Sequence, residues 1–308
     1  MSALSISLPV AGSSGICPEQ NTKPLATIAW LYGPTAFGAC SVVMARLCGM
    51  LETMRIATWN VNSIKARSER LLRWLDKHKP DVLCLQELKA EDSGFPLAEV
   101  QAAGYSAVLH GQRTYNGVGI LSRAATSNLR IGLNDDVDDP QARLISAELD
   151  GITFLSCYVP NGSEPTSDKF AYKLKWLERL LAYLEQHHAK RERLVLCGDL
   201  NIAPDDSDVA RPEEWKDTVL CHPEVREAFK RLIAFGLVDS FRTLRPEPGL
   251  YSWWDYRMLG FPKGNGLRID HVLVTKDLLP RCKAAFIDRD ERKGKLPSDH
   301  APVVVDID

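Results

Sequence analysis

Five apolar runs in this chain end on, or open from, oxygen-bearing side chains. "RIATWNVN" closes on Asn60 and Asn62, "DVLCLQE" on Glu87, and "LVLCGDLN" on Asp199 and Asn201. "GLRIDHVLV" carries Asp270, and "LPSDHAPVVV" sets Asp299 and His300 before a last apolar stretch. Taken singly, each is a turn former at a strand end, the commoner use of Asp and Asn. Taken together they would gather at one rim of a sheet. Carboxylates that close repel and raise one another's pKa unless a cation neutralises them. Oxygen donors without cysteine suit Mg²⁺, with Mn²⁺ able to substitute, rather than Zn²⁺. Such an ion keeps places for water and phosphate, and the chemistry such a group would support is metal-assisted phosphodiester hydrolysis. Asn60, Asn201 and His300 add hydrogen-bond donors without adding negative charge, which suits the charge that develops on a phosphate.

The elements that must hold these groups alternate between strand and helix from Met54 onward. "RIATWNV" (55–61) reads as a strand, followed by an amphipathic helix, "ARSERLLRWLDKHK", with Leu71, Leu72, Trp74 and Leu75 apolar. "DVLCLQE" (81–87) is too apolar for anything but a core strand. "SAVLHG", "TYNGVGILSR", "ARLISAEL" and "ITFLSCYVP" follow as strands, the last two joined by an Asp150-Gly151 hairpin signal. Residues 169–188 predict a long helix with Phe170, Leu174, Leu177, Leu181 and Leu184 on one stripe. A helix over 223–235 and short strands at 237–242, 267–275 and 302–307 complete the pattern. Strands dominate, with helices between groups of them, which argues for two packed sheets with helices outside.

With 38 basic and 40 acidic residues the net charge is −2, so any nucleic-acid contact must come from a local patch. Of the eight cysteines, Cys84, Cys157 and Cys197 sit inside apolar runs as small hydrophobes, and there is no C-x-x-C pair. A reducing cytoplasm is expected. Residues 1–53 differ in composition from the rest, with no charge between Lys23 and Arg46 and with Gly33-Pro34 interrupting the apolar stretch. They are expected to be an extension outside a single catalytic domain at 54–308, with Met54 as the natural start.

"WNVN", "LCLQE", "YNGVGILS", "YVPNG", "GDLNIAP", "RIDHVLV" and "SDHAPVVV" stand in the order seen in exonuclease III and the related apurinic/apyrimidinic endonucleases. From Met54 to the C-terminus the chain resembles that family. The resemblance implies an α/β fold, a four-layered αββα sandwich of two mixed β-sheets with outer helices. It implies a divalent-metal-dependent hydrolase acting on double-stranded DNA in base-excision repair, as a 3′–5′ exonuclease, an abasic-site endonuclease or both. A cytoplasmic monomer with no membrane attachment is expected. Glu87 would be the principal metal ligand, with Asn60 and Asn62 beside it; Asp199, Asn201, Asp299 and His300 complete the implied metal set. Asp199 would orient or deprotonate water, and Asn201 and Tyr158 would hold the scissile phosphate. His300 would contact a phosphate oxygen, its ring fixed by Asp270.

For DNA contact the sequence offers Asn62 and "YSWWDYRMLGFPKGNG" (251–266), whose Trp253 and Trp254 could stack on an extruded nucleotide beside Arg257, Lys263 and Arg268. An aromatic mini-core under a long loop is the plain alternative. Where the related endonucleases have an aromatic residue, Leu267 stands here, which leaves the abasic-versus-exonuclease preference open. Deoxyribonuclease I, inositol-polyphosphate phosphatases and sphingomyelinases share the acidic elements, so a phosphodiesterase on another substrate is one rival. A non-catalytic RNA- or protein-binding regulator on this fold is the other.

Overall fold

A computed structural model describes residues 53–189 and 192–308. The expectation for residues 1–53 therefore lies, but for Thr53, outside the described residues. Twelve strands form two six-stranded sheets. The first has the order β11-β12-β1-β2-β4-β3: β1 is Met54–Asn60, β2 Val82–Gln86, β3 Ser106–His110, β4 Val118–Ser122, β11 Cys282–Ile287 and β12 Val303–Ile307. The second has the order β5-β6-β7-β8-β10-β9: β5 is Ser127–Ile131, β6 Leu144–Leu149, β7 Ile152–Tyr158, β8 Leu194–Asp199, β9 Leu237–Asp239 and β10 Asp270–Thr275.

Each sheet has one parallel pair at its centre and antiparallel neighbours elsewhere. In the first, β1 and β2 run parallel and are joined through helix α1 (Ile64–His78). In the second, β7 and β8 run parallel and are joined through α3 (Asp168–His187); the short α2 (Leu97–Ala102) lies earlier, between β2 and β3. The two sheets thus repeat one plan. Glu87, just past β2, and Asp199, the last residue of β8, occupy corresponding places in it.

Inward-facing residues of both sheets, among them Ile56, Cys84, Ile120, Phe154, Cys197 and Val272, meet in one buried cluster. The outer face of the first sheet packs Trp59, Leu83 and Leu85 against Leu71, Trp74 and Leu75 of α1. The outer face of the second packs Leu155 and Leu196 against α3 and α5 (Pro223–Phe235), the one-turn α4 (Pro212–Trp215) preceding α5 in the chain. That is the four-layered sandwich expected, and the strands are apolar on both faces because both faces are covered. No helix among the described residues is long and apolar enough to cross a membrane.

Three local expectations need correction. The segment 237–242 is a strand only to Asp239; there the carboxylate accepts from Arg242 N at 3.0 Å and starts helix α6 (Ser240–Leu244). The expected strand at 267–275 begins at Asp270, because Leu267 pairs instead with Val209 and Trp253 as isolated bridges. The buried stripe of α3 is Phe170, Lys173, Trp176, Leu177, Leu180, Tyr183 and Leu184, with Leu174 and Leu181 on its shoulder. A lysine is part of that stripe.

Candidate active site

Moving along the inter-sheet space towards the rim, the lining changes from apolar to polar in steps of two residues, as strand alternation requires. Ile56, Cys84 and Cys197 lie deep in it. Next comes a buried polar tier: Thr58 Oγ1 donates to Gln86 Oε1 at 3.1 Å, and Gln86 Nε2 donates to Ser156 Oγ at 3.2 Å across the sheets. Above it stand Asn60, Tyr158 and Asp199. Gly198 makes the last step possible, since a Cβ there would sit 1.8 Å from the carbonyl oxygen of Cys157 on the paired strand. Strict alternation would turn Glu87 outward. Its left-handed backbone, φ 51°, turns it back towards the rim.

The groups converge tightly. Asn60 Nδ2 donates to Glu87 Oε1 at 2.8 Å and to Asp199 Oδ2 at 2.9 Å, one amide joining carboxylates from the two sheets. Its Oδ1 accepts from Asn62 N at 2.9 Å, which fixes which end of the amide faces the acids. Tyr158 OH donates to the same Glu87 oxygen at 2.9 Å. Lys89 reaches the other Glu87 oxygen at 2.7 Å. On the far side, His300 Nδ1 lies 2.9 Å from Asp270 Oδ2, and His300 Nε2 lies 3.6 Å from Asp199 Oδ2. Ligand atoms of Glu87, Asp199 and His300 all fall within 4.8 Å of one another, a group that could hold a metal ion.

The electrostatics follow from burial and crowding. Burial, then the neighbouring Asp270 and Glu87 charges, push the Asp199 carboxyl up to about 7, with His300 opposing. Burial alone would lower His300, but Asp270 and Asp199 outweigh it and carry the ring to about 10. The carboxylates thus favour the imidazolium, which carries N–H groups on both sides. Burial and the Glu87 and Asp199 charges raise Tyr158 well above the usual phenol range, so it is a hydroxyl donor rather than a phenolate. Arg143 lies over its ring at 4.9 Å.

Residues 57–300 match the endonuclease/exonuclease/phosphatase family. The chain belongs to it. Within it the chain falls in the exonuclease III and AP endonuclease branch. It is 38% identical over 262 residues to exodeoxyribonuclease III of Haemophilus influenzae, covering 81% of this chain and 98% of that protein. An AP endonuclease from Archaeoglobus fulgidus superposes with a TM-score of 0.80 at 40% identity, covering 83% of this chain and 99% of that one. The 3′ phosphatase NExo from Neisseria, solved bound to a product DNA hairpin, gives 0.81 at 41% identity, with the same two coverages.

Not every residue singled out from the sequence joins the centre of this family member. Asp299 stands aside, one oxygen accepting from Asn62 Nδ2 at 2.8 Å and the other from Trp253 Nε1 at 3.1 Å. Asn201 is held by its neighbours, accepting from Asn161 Nδ2 at 3.0 Å and donating to Val159 O at 2.9 Å, which uses one of its two side-chain N–H groups. Trp253 is half-buried, its ring centroid 5.6 Å from Trp215 and 6.4 Å from His300. Trp254 is 1% exposed and packs on Phe261, so it is core rather than a stacking surface. Arg257 and Lys263 are exposed on the loop. Arg268 requires a correction: it is 1% exposed, bonded to Asp208 at 2.7 Å and to Asp239 at 2.8 Å, and is spent inside the protein. Lys89 and Asn161 were missed, although "QELK" and "YVPNG" place each within two or three residues of a chosen side chain.

Proposed function

We propose that this chain hydrolyses phosphodiesters of double-stranded DNA at abasic sites and 3′ ends, with Mg²⁺ as the working ion and a single chain as the working unit. That it is a hydrolytic DNA-repair nuclease follows from its family and relatives. The catalytic unit is taken as residues 54–308. The observation that carries the residue roles is the amide of Asn60 clasped between Glu87 and Asp199, with His300 facing the same Asp199 oxygen.

The donor set fits a hard divalent cation: carboxylates from two sheets crowd together, and burial and mutual repulsion already drive Asp199 towards protonation. Glu87 would hold the ion, with Asn60 and Asp199 at its flank, and the bound ion would supply Lewis acidity to phosphoryl oxygens. Asp199, poised near neutrality, would take the proton of the attacking water. The His300 imidazolium, braced by Asp270, and the Tyr158 hydroxyl would donate to non-bridging oxygens as charge builds there. The aromatic segment around Trp253 would engage the extruded sugar or the end of the helix, with Arg257 and Lys263 beside phosphates.

A duplex with one abasic site, and one with a recessed 3′ end, test this reading. EDTA should abolish cleavage and Mg²⁺ restore it, and Glu87→Ala should lose at least ~100-fold in kcat. Cleavage undiminished in EDTA would falsify the metal-dependent reading. A Glu87→Ala protein within threefold of wild type would remove Glu87 from the centre.

A further inference from the structure

A lysine on a helix face ordinarily runs its stem along the surface and keeps its charge in water. Lys173 does the opposite: it lies in the buried stripe of α3 at 0% exposure, the sole buried lysine among the described residues. Its Nζ donates to Val219 O at 2.6 Å, Asn201 O at 2.7 Å and Asn161 O at 3.1 Å. These carbonyls belong to three separate segments, after β7, after β8 and before α5. An ammonium has three N–H groups, and all three are taken, leaving none for a substrate. Burial works against the charge, drawing Lys173 down to about 7, while Asp199 works for it. A neutral amine would turn a lone pair on one of the three carbonyls, so the bonding set itself calls for the ammonium. The seat is built around the stem as well. Gly162 has φ 99°, and a Cβ there would approach Lys173 Cδ to 3.1 Å.

The held segments end in amides beside the catalytic centre. Asn161 Nδ2 donates to Asn201 Oδ1 at 3.0 Å, Asn201 Nδ2 donates to Val159 O at 2.9 Å, and Asn201 N donates to Asp199 Oδ1 at 2.9 Å. Each side-chain amide keeps one N–H unspent. We propose that Lys173 is a positioning residue: it stitches the Asn161 and Asn201 loops together so that their remaining N–H groups meet the scissile phosphate while the Asp199 carboxylate meets the attacking water, in one fixed arrangement. This rests on the phosphodiesterase reading above. Glu87 and Asn60, on the other sheet, are outside its reach, so the cation should be held as before.

Lys173→Met and Lys173→Gln test the assignment on abasic duplex, with kcat expressed per folded molecule counted from near-UV circular dichroism. The Gln variant fills a similar volume and can still donate to two carbonyls, so it carries the test if the Met variant fails to fold. Expected are a kcat lower by 30-fold or more, a KM within threefold and a Mg²⁺ half-saturation within twofold. In an Asn201→Ala background, adding Lys173→Gln should cost under threefold more, because the residue acts through the one already removed. A kcat per folded molecule within threefold of wild type, an additive double mutant, or activity lost only in proportion to folded protein would each overturn the proposal. Wild-type protein inert on DNA would instead sink the functional reading. In that event, side-chain amide ¹⁵N–¹H signals of Asn161 and Asn201 that shift in the Gln variant while that of Asn60 stays would still support positioning; unmoved signals would overturn it.

Discussion

Replacing Asp270 with Asn tests the charge logic of the site with a change of one atom. The carboxylate is fully buried and lies 2.9 and 3.1 Å from His300 Nδ1, and it is the chief reason the ring stays charged against burial. Without it only the Asp199 charge, with a smaller contribution from Asp299, opposes burial, and the ring returns from about 10 to its ordinary ~6.5 or lower. That is a swing of roughly 5 kcal/mol in the preference for the imidazolium. At pH 7.5 a group of pKa ~6.5 is charged in only about one molecule in ten, a ~10-fold loss before orientation is counted. Losing a fixed donor costs a further ~10–100-fold, so kcat should fall ~10²–10³-fold. The pH profile gives the sign. In wild type, activity rises as Asp199 loses its proton through about 7 and holds into the alkaline range, because His300 stays charged to about 10. In Asp270→Asn, activity should decline above ~6.5 as the ring empties. Initial rates on abasic duplex from pH 5.5 to 9.5 at saturating Mg²⁺ measure both. A kcat within threefold of wild type at pH 7.5, or a defect confined to Mg²⁺ half-saturation, would refute this account of the pair.

Trp253→Ala should lose roughly 10-fold in kcat/KM on abasic duplex while barely changing hydrolysis of a minimal phosphodiester, since ~1.4 kcal/mol of stacking is at stake; parallel loss of both activities would make the ring structural. Trp254→Ala, which empties a core site, should instead cost ~3–5 kcal/mol in urea unfolding. Gly198→Ala must part β7 from β8 to relieve a 1.8 Å contact, so the protein should fail to fold or melt far earlier; a melting temperature within a few degrees of wild type would contradict the strand pairing described. Arg268→Ala removes the buried guanidinium between Asp208 and Asp239, leaving Asp208 to Arg242 alone, and should cost ~3–5 kcal/mol of stability, with kcat per folded molecule unchanged. Weakened DNA affinity in that folded variant would restore Arg268 to the binding surface.

The strands that carry the site were legible because each is an apolar run that stops abruptly at Asn60, Glu87, Asp199 or Tyr158, where apolar side chains give way to polar ones that are still largely buried. β5 was not: all five of its residues are exposed, so neither alternation nor an apolar run marks it, and it is a strand only through pairing with β6. Lys173 went unmarked and Arg268 was assigned to the surface for one reason. Charge predicts exposure unless partners are supplied, and their partners lie at Val219, Asp208 and Asp239, remote in sequence. The placing of Asn60 between two carboxylates was equally hidden, since it depends on how two sheets stack rather than on any local pattern. What the spacing did carry was the set of groups; which of them touch, and which are held through neighbouring loops as Asn201 is by Asn161 and Val159, required the packing.

Glu87 belongs to the first sheet and Asp199 to the second, and the centre draws on residues from Asn60 through to His300. No stretch of the chain shorter than nearly the whole domain can therefore assemble it. A partly synthesised, nicked or half-folded copy holds scattered acids and nothing that can cut. For a DNA-repair nuclease this acts as an interlock: competence requires the last strand to dock beside β1 and bring His300 with it. Heating should show the same coupling in reverse, with cleavage lost as soon as the sheets slide against each other and before either sheet has melted.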